Sequence, residues 1–461
     1  MPTIGYTGTT PPVPRAVQDS HVPFDRPTGV CVFRFRPILF LVLLTLAVRG
    51  PIACLRHASL RDDRDHYRVL AGGIAQGRGL VHPDHGTPTA YRPPLYPLVL
   101  AGLDRIAAGD GKLAGRDEIL AAFHWLLGLA TVLGTWRLGL RLGLGQAAWW
   151  SAAAVAIDPL LVVGATLPMT ETLFTALIVW LLATAAAPST IRRSVVVGVL
   201  FGLAALCRPS VWAFGTLVLL ACLFRWWRQR SGRPSSPRQA VLAVAIGIAV
   251  VVCPWLGRNL HVSGTPVLTT THGGFTLLLG NNPVFYEQVV RKPLGTVWND
   301  TTSDPDRTPQ QWRKSLESRL PEPGRGIAAE GRRDTWMYHR ALENISDDPR
   351  GFGRACLLRF VRFWTPWPWE SAEPSVLKIP VACWYVLATL AMCRGLYRMP
   401  WREHPEWLPC LLLLLALSAL HLVFWSTMRM RAPLVPVVAL LAGVGILPRG
   451  RLIDTVQNTD L

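Results

Sequence analysis

The chain has 461 residues, of which 50% are hydrophobic and only 16% are charged, and its net charge is +18. Soluble globular proteins carry about 25% charged residues, so the composition argues against a soluble chain and favours a membrane protein. The arginines cluster in short links between apolar runs. We therefore attribute the positive charge to membrane orientation and expect no nucleic-acid partner.

The N-terminal region begins with a polar, Pro-rich stretch. Residues 1–33 have the composition of a disordered segment, which we expect in the cytoplasm. Arg34 and Arg36 then precede the apolar run PILFLVLLTLAV. Because no A-x-A cleavage motif follows, we interpret this run as an uncleaved first span. Arg49 is the one charge within that span, and we expect it to snorkel to the membrane interface.

Apolar runs recur along the rest of the chain. A helix needs about 20 mostly apolar residues to cross a membrane. Ten segments are predicted to cross: 37–56, 118–140, 146–166, 171–187, 194–208, 209–226, 237–256, 376–397, 406–425 and 431–448. The sequence therefore predicts an all-α polytopic membrane protein with about 10–11 transmembrane helices. The membrane body extends over 34–450, and a cytoplasmic tail over 451–461 follows it.

Every second link between these segments is strongly basic, as in FRFRP, RLGLRLG, IRRS and RWWRQRSGRPSSPR. Positive-inside bias places these links and both termini in the cytoplasm. Two large extracytoplasmic loops result, 57–117 and 257–375, and we expect them to carry short interfacial helices. The apolar segment 93–109 must then lie in the interface or re-enter the membrane, because another crossing would put the later basic links outside.

The first outer loop opens with the acidic stretch RDDRDHY. One aspartate at the start of a helix is explained by capping, but a cap needs only one acid. A carboxylate at the membrane–water boundary is also placed to act as a general base. We expect Asp63 to be that base, with Asp62 as the alternative. Tyr67 follows Asp63 by four residues, so a helix would put both on one face.

Several motifs resemble, in their order, those of the polytopic GT-C glycosyltransferases. The first loop pairs the acidic stretch and Tyr67 with the run YRPPLYP, which contains Arg92. The segment LPMTETLFTAL has an acid, Glu171, at the outer start of a span. The segments PWLGRNLHVSG…GNNP and HLVFWSTMRMRAPLVP complete the pattern. The branch with the protein O-mannosyltransferases and the lipid A aminoarabinose transferase is the most similar.

This resemblance implies an inverting membrane glycosyltransferase that takes a sugar from a polyprenyl-phosphate carrier at the extracytoplasmic face of a bacterial cell membrane. The acceptor, whether protein, lipid or glycan, is left open. No cofactor is implied, although a divalent metal is not excluded. The residues expected to bind substrate are Tyr67, Arg92, Glu171, Arg258, Asn259, Asn281, Arg429 and Arg431.

The outer arginines fit that chemistry independently, because a guanidinium group binds phosphate through two parallel hydrogen bonds. Two alternatives remain. A lipid-linked sugar transporter or scaffold without chemistry would place charges deep within several spans, whereas here they gather at one face. A glycan polymerase or ligase acting on longer lipid-linked chains is the other.

Overall fold

A computed structural model describes residues 32–107, 115–228, 237–299, 307–321, 324–369 and 375–446. Within these ranges the chain is helical and has no β-strand beyond one isolated bridge between Val81 and Pro88. The expectations for most of the N-terminal segment 1–33 and for the tail 451–461 fall outside the described residues. The all-α polytopic fold is confirmed.

The eighteen helices of the described ranges are numbered in chain order. They are α1 Val32–Leu55, α2 Tyr67–Ala75, α3 Leu95–Ala107, α4 Arg116–Arg141, α5 Ala147–Ile157, α6 Pro159–Gly164, α7 Glu171–Ala185, α8 Ile191–Cys207, α9 Val211–Arg228, α10 Pro237–Ser263, α11 Gly273–Gly280, α12 Pro283–Phe285, α13 Pro309–Glu317, α14 Ile327–Asp347, α15 Pro349–Trp364, α16 Ser375–Arg398, α17 Leu408–Val423 and α18 Val435–Ile446. A 3-10 segment, Met428–Leu434, leads directly into α18.

Six helical stretches of the described chain are long and apolar enough to cross a membrane: Arg36–Leu55, Arg116–Arg141, Arg238–Ser263, Ser375–Arg398, Pro405–Val423 and Met428–Ile446. Shorter apolar helices occupy Ala147–Ile157, Glu171–Ala185 and Val211–Arg225. Each of the ten predicted spans coincides with a helix or with a pair of consecutive helices. The chain is an integral membrane protein.

The third predicted span is broken at Asp158, which separates α5 from α6. Asp158 Oδ1 accepts hydrogen bonds from the backbone N–H groups of Leu160 (3.0 Å) and Leu161 (3.1 Å), so it caps α6. Pro159 follows at the first helical position, where its missing N–H costs nothing. The side chain therefore both ends one helix and starts the next.

Arg49 of α1 packs into this break. It is only 4% exposed, and it donates to the backbone carbonyls of Val155 (3.1 Å) and Ala156 (3.3 Å) at the end of α5. The expectation that Arg49 snorkels to the interface is wrong. The carbonyls of the last turn of α5 lack helical partners and carry the negative end of the helix dipole, so they bind the guanidinium inside the bundle.

Close helix crossings hold the bundle together. A Cβ on Gly198 of α8 would overlap the Val244 carbonyl of α10, and a Cβ on Gly395 of α16 would overlap the Leu441 carbonyl of α18. Only glycine permits such approaches. In lipid, where apolar surface gains little from burial against another helix, this backbone proximity is a main source of packing energy.

The two predicted outer loops pack against each other at one end of the bundle, termed here the loop end. Glu330 of α14 accepts hydrogen bonds from Thr89 Oγ1 (2.6 Å) and from the Ala90 N–H (3.0 Å) of the first loop. Helix α3, within the segment 93–109, has 13 residues. At 1.5 Å per residue it extends about 20 Å, less than a bilayer core of about 30 Å.

Candidate active site

Asp63 lies in the turn that precedes α2. Its Oδ2 accepts hydrogen bonds from the backbone N–H groups of Arg68 (2.9 Å) and Val69 (3.1 Å), so one carboxylate oxygen caps the helix. His66 closes the turn with a φ of 62°, a left-handed conformation that histidine adopts more readily than most residues. Asp63 Oδ1 is buried and has no hydrogen-bond partner among the described residues. The carboxylate therefore keeps one oxygen available as a proton acceptor.

The neighbouring acids differ from Asp63. Asp62 is exposed and pairs with Arg64 at 2.7 Å. Asp65 pairs with Arg92 at 2.8 Å, and the Arg92 guanidinium lies 5.6 Å from the ring centre of Tyr67. The three acids of the opening stretch thus make one surface pair, one half-buried pair and one carboxylate with a buried open oxygen.

Glu171, at the first position of α7, binds two arginines. Its Oε1 lies 3.1 Å from Arg208, which follows α8, and 3.0 Å from Nε of Arg429 in the 3-10 segment. The Glu171 side chain is 6% exposed. Its Oε2 is buried and accepts no hydrogen bond from any described residue. Three separate parts of the chain therefore converge on one carboxylate.

Two buried tyrosines, Tyr67 and Tyr96, pack together near these acids. Their rings meet edge to face, with ring centres 5.2 Å apart. Burial raises the pKa of Tyr67 to about 12, although the Arg92 charge opposes this shift. Burial also raises the pKa of Tyr96 well above its usual value, and the charges of Glu171 and, more weakly, Asp63 add to that. Both hydroxyl groups therefore stay protonated.

His124 of α4 holds Tyr96 in place. The Tyr96 hydroxyl lies 2.9 Å from His124 Nε2, and His124 Nδ1 lies 2.8 Å from the Ala165 carbonyl. Because a carbonyl only accepts, Nδ1 carries the proton and the Tyr96 hydroxyl donates to Nε2. These two hydrogen bonds fix the orientation of the Tyr96 hydroxyl.

A cavity of about 510 Å³, termed here the carrier cavity, adjoins the Glu171 cluster through Arg429. Its walls come from the end of α1, from α6, from the chain after α15 and from the start of α16, and most are apolar. Among its described lining residues are four cations and no acid. The cations are Arg56, Arg362, Lys378 and Arg429.

Four of the residues expected from the sequence lie away from this cluster. Arg258 donates to the carbonyls of Thr89 (2.9 Å) and Leu80 (3.0 Å), and Asn259 donates to the Val267 carbonyl (2.9 Å). The bonds of Arg258 fasten α10 to the first loop, and the bond of Asn259 ties α10 to the chain that follows it.

Asn281 and Arg431 are also engaged elsewhere. Asn281 is fully buried, where it donates to two carbonyls and accepts from Tyr286 and Arg359. Arg431 lines a different cavity from that of Arg429. The structure thus joins Glu171 to Arg429, and it joins Arg92 to Asp65 and to the Tyr67 ring, while Asp63 caps the helix that Tyr67 begins.

The sequence analysis missed several residues of the site. Arg208 lies in the short turn between two predicted spans, on the side assigned to the exterior, where a cation is unexpected. That signal was sufficient to find it. Lys378, at the outer start of the span 376–397, carries the same signal. Tyr96 and His124 gave no comparable signal, because their partners come from distant parts of the chain.

The described part of the chain contains no group of three or more His, Cys, Asp or Glu side chains placed to hold a metal. His82 and His85 stack on each other with ring centres 4.1 Å apart, but a third ligand of these types does not join them within the described ranges. The described side chains therefore do not fit a divalent metal ion.

Comparison with solved structures gives the fold. The archaeal oligosaccharyltransferase AglB from Archaeoglobus fulgidus, in complex with an inhibitory peptide and a dolichol-phosphate, is similar with a TM-score of 0.52 and 14% identity, covering 90% of this chain and 50% of that one. Its apo form gives a TM-score of 0.52 and 14% identity, covering 91% and 51%. This chain spans about half the length of those proteins.

ArnT from Cupriavidus metallidurans bound to undecaprenyl phosphate is 16% identical over 91% of this chain and 78% of that one. Its TM-score of 0.36 is too low to support an inference about the fold. Neither a family profile nor a curated protein matches the sequence. The all-α polytopic fold expected from the sequence is shared with AglB, and at this identity the likeness shows the fold alone.

Proposed function

We propose that this protein is an inverting membrane glycosyltransferase that moves a sugar from a polyprenyl-phosphate carrier to an acceptor hydroxyl at the extracytoplasmic face. One observation carries the proposal. The buried open oxygen of Asp63 lies in the first outer loop, and at the same end of the bundle the Glu171 ion-pair cluster adjoins a cavity whose described charged lining is entirely cationic. A candidate base and a candidate anion site thus lie at the same end of the bundle.

The carrier cavity suits an amphiphile with a phosphate group. Apolar walls from α1, α6 and α16 accommodate a hydrocarbon chain, and four cations supply charge-assisted hydrogen bonds to phosphate oxygens. Exposed apolar side chains at its rim, such as Leu55 (80% exposed) and Leu377 (54% exposed), give it a lipid-facing entrance. A dolichol-phosphate is present in one of the similar AglB structures, which supports this assignment.

The reaction follows from the positions of these groups. Asp63 Oδ1 accepts the proton of the acceptor hydroxyl as its oxygen attacks the anomeric carbon. The bond between that carbon and the phosphate oxygen breaks, and its electron pair leaves with the polyprenyl phosphate. A single displacement inverts the anomeric carbon. The cations of the carrier cavity stabilise the negative charge that develops on the leaving phosphate.

Glu171 acts as a positioning residue in this scheme. Its carboxylate holds Arg429 at the wall of the carrier cavity and binds Arg208 beside it. Because both arginines share one oxygen of Glu171, their guanidinium groups keep a fixed separation. The phosphate site is therefore assembled before the carrier binds, which avoids an ordering cost during the reaction.

The distribution of basic residues supports an extracytoplasmic site. Arg141 ends α4 and contacts the Ala183 carbonyl near the end of α7, and Arg398 ends α16 and donates to the Gly445 carbonyl near the end of α18. These helix ends lie at the end of the bundle opposite the loop end. Positive-inside bias assigns that end to the cytoplasm. The loop end then faces the exterior, in keeping with a role in a bacterial cell envelope.

The decisive experiment uses the purified full chain in lipid vesicles with a panel of radiolabelled polyprenyl-phosphate sugars and a mixture of envelope acceptors. We expect one donor to release its carrier phosphate with formation of a labelled product. Tight binding of the carrier without release from any donor would instead support a transporter or scaffold. Transfer of preassembled glycan chains alone would support the polymerase or ligase alternative.

A further inference from the structure

A second cavity lies between α5, α16 and α18 and is termed here the rear groove. It has a volume of about 240 Å³ and shares no lining residue with the carrier cavity. Trp150 and Ala154 of α5, Ala388 of α16 and Ala442 of α18 are among its apolar walls. One end of the groove is polar, and that end determines what it is able to bind.

Arg431 stands at the polar end. The residue is 4% exposed, and its Nη1 donates to the backbone carbonyls of Phe363 (3.3 Å) and Thr365 (2.9 Å). Its Nη2 is buried and has no hydrogen-bond partner in the part of the chain that the structure describes. The guanidinium also lies over the Tyr385 ring, 4.3 Å from the ring centre, a contact that leaves Nη2 without an oxygen acceptor. Buried polar groups in native proteins are almost always paired, so Nη2 indicates a missing acceptor.

The charged groups around Arg431 also indicate a binding site for an anion. Asp158 accepts only from uncharged donors, namely backbone N–H groups, the Tyr385 hydroxyl and Trp384 Nε1. Arg49 is bound to the carbonyls on either side of the break at Asp158. Arg49 and Arg431 both interact electrostatically with Asp158, the one acid among the described residues that line the groove, so two positive charges share one carboxylate there.

The rest of the groove is open to lipid. Trp150 is 60% exposed, Leu387 is 66% exposed and Ile446 is 74% exposed, and all three line it. From Arg431 to Ile446 the helical rise amounts to about 22 Å, most of the hydrocarbon thickness of about 30 Å. An occupant must therefore combine a single negative charge at one end with a long apolar body.

We propose that the rear groove binds one anionic glycerophospholipid of the surrounding bilayer, with its phosphodiester on Arg431. A phosphodiester has one negative charge and matches the single unpaired cation, whereas a phosphomonoester such as polyprenyl phosphate has about −1.5 to −2. Ser151 Oγ, farther along the groove, is also buried and without a partner among the described residues. The ester carbonyl of a phospholipid offers it an acceptor, which a polyprenyl chain lacks.

This site is independent of sugar transfer and is tested by lipid binding alone. The full chain is purified in detergent and titrated with phosphatidylglycerol, phosphatidylcholine or undecaprenyl phosphate, and bound lipid is counted by native mass spectrometry. We expect one phosphatidylglycerol per chain to be retained at least tenfold more tightly than phosphatidylcholine. Equal retention of the two phospholipids would overturn the proposal, and so would displacement of phosphatidylglycerol by equimolar undecaprenyl phosphate.

Two variants assign the binding to the groove. Ala388→Phe fills it and should abolish retention, and Arg431→Gln should weaken retention at least tenfold. Leu390→Phe adds the same bulk to the exposed face of α16 outside the groove, and it should leave retention unchanged. Retention that survives both Ala388→Phe and Arg431→Gln in folded protein contradicts the assignment, and the selectivity of the unaltered chain decides the matter if either variant fails to fold.

Discussion

The carboxylate of Glu171 and the guanidinium of Arg208 lie 3.1 Å apart, almost out of contact with solvent, although α7 and α8 separate them along the chain. Arg208 is 17% exposed at its side chain and Glu171 is 6% exposed. A pair this buried is held in one geometry. The positions of Arg208 and Arg429 at the loop end therefore depend on a single acid, Glu171.

Replacing that acid should destabilise the protein. In Glu171→Gln, two arginines lose their shared carboxylate, and breaking a buried ion pair from one side costs about 3–5 kcal/mol. We expect a clear fall in the thermal unfolding midpoint, measured by circular dichroism in detergent. Glu287→Gln is the control, because its pair with Arg307 is far more exposed and should cost about 1 kcal/mol or less. Equal losses in both variants would contradict the role of Glu171.

Asp63→Asn should remove the general base but keep the fold. An amide oxygen still accepts the N–H groups of Arg68 and Val69, so the cap of α2 survives. We expect turnover of the active polyprenyl-phosphate sugar to fall by about a hundredfold or more. Carrier affinity should be unchanged in an equilibrium binding assay.

Asp62→Asn provides the matched comparison for this loss. Asp62 is exposed and paired with Arg64, so its amide variant should retain turnover within about twofold. Full activity of Asp63→Asn, or an equal loss in Asp62→Asn, would exclude Asp63 as the proton acceptor.

Lys378→Gln should weaken binding of the carrier. Lys378 is one of the four cations of the carrier cavity, and loss of one charge-assisted contact to phosphate is worth about 1.5 kcal/mol, or roughly tenfold in affinity. Isothermal titration with undecaprenyl phosphate measures the change. Lys314→Gln, on the exposed face of α13, should bind as the unaltered protein does. An unchanged affinity in Lys378→Gln would place the phosphate elsewhere.

Tyr96→Phe should lower stability through His124. The substitution removes the hydroxyl that donates to the buried His124 Nε2, and an unsatisfied buried acceptor costs about 1–3 kcal/mol. Chemical unfolding monitored by tryptophan fluorescence gives the difference. Tyr397→Phe alters a side chain that is 86% exposed and should have no effect. If Tyr96→Phe leaves the free energy of unfolding unchanged, another donor satisfies His124 Nε2 in the variant.

Asp334, which lies in the large outer loop, should make the free energy of unfolding depend on pH. Burial raises the pKa of its carboxyl from 3.8 to about 6, against the opposing hydrogen bonds from Gly274 and Phe275. Because the folded chain holds this proton more tightly than the unfolded chain, the contribution of Asp334 is present below about pH 4 and is lost as pH rises through about 6.

The variant Asp334→Asn isolates the contribution of this carboxyl to the pH dependence of stability. Asp334→Asn keeps an acceptor for the Gly274 N–H and no longer titrates. Between pH 4 and 7 the unfolding midpoint of the unaltered protein should therefore decline relative to that of Asp334→Asn. Thermal scans at several pH values compare the two, and parallel curves would show that the carboxyl titrates normally.

The sequence was sufficient to predict the helical membrane body. Spans require about 20 apolar residues and basic residues collect in alternate links, so length and charge along the chain locate the helices without any knowledge of their packing. Local reasoning together with the family resemblance predicted Asp63, Tyr67, Arg92, Glu171 and Arg429 as site residues, and their roles stay predictions. Each is a polar or charged residue at a helix end, where burial in lipid is costly unless the residue has a partner.

Only the tertiary structure decided which of these charges meet. Arg429 and Arg431 look alike in the sequence, but a 3-10 segment advances about 120° per residue, so positions two apart point in different directions and line different cavities. Arg49 turned inward because the unpaired carbonyls at the end of α5 lie beside it. Partnership of this kind depends on distances between helices that are remote along the chain, and a one-dimensional pattern of residues does not contain those distances.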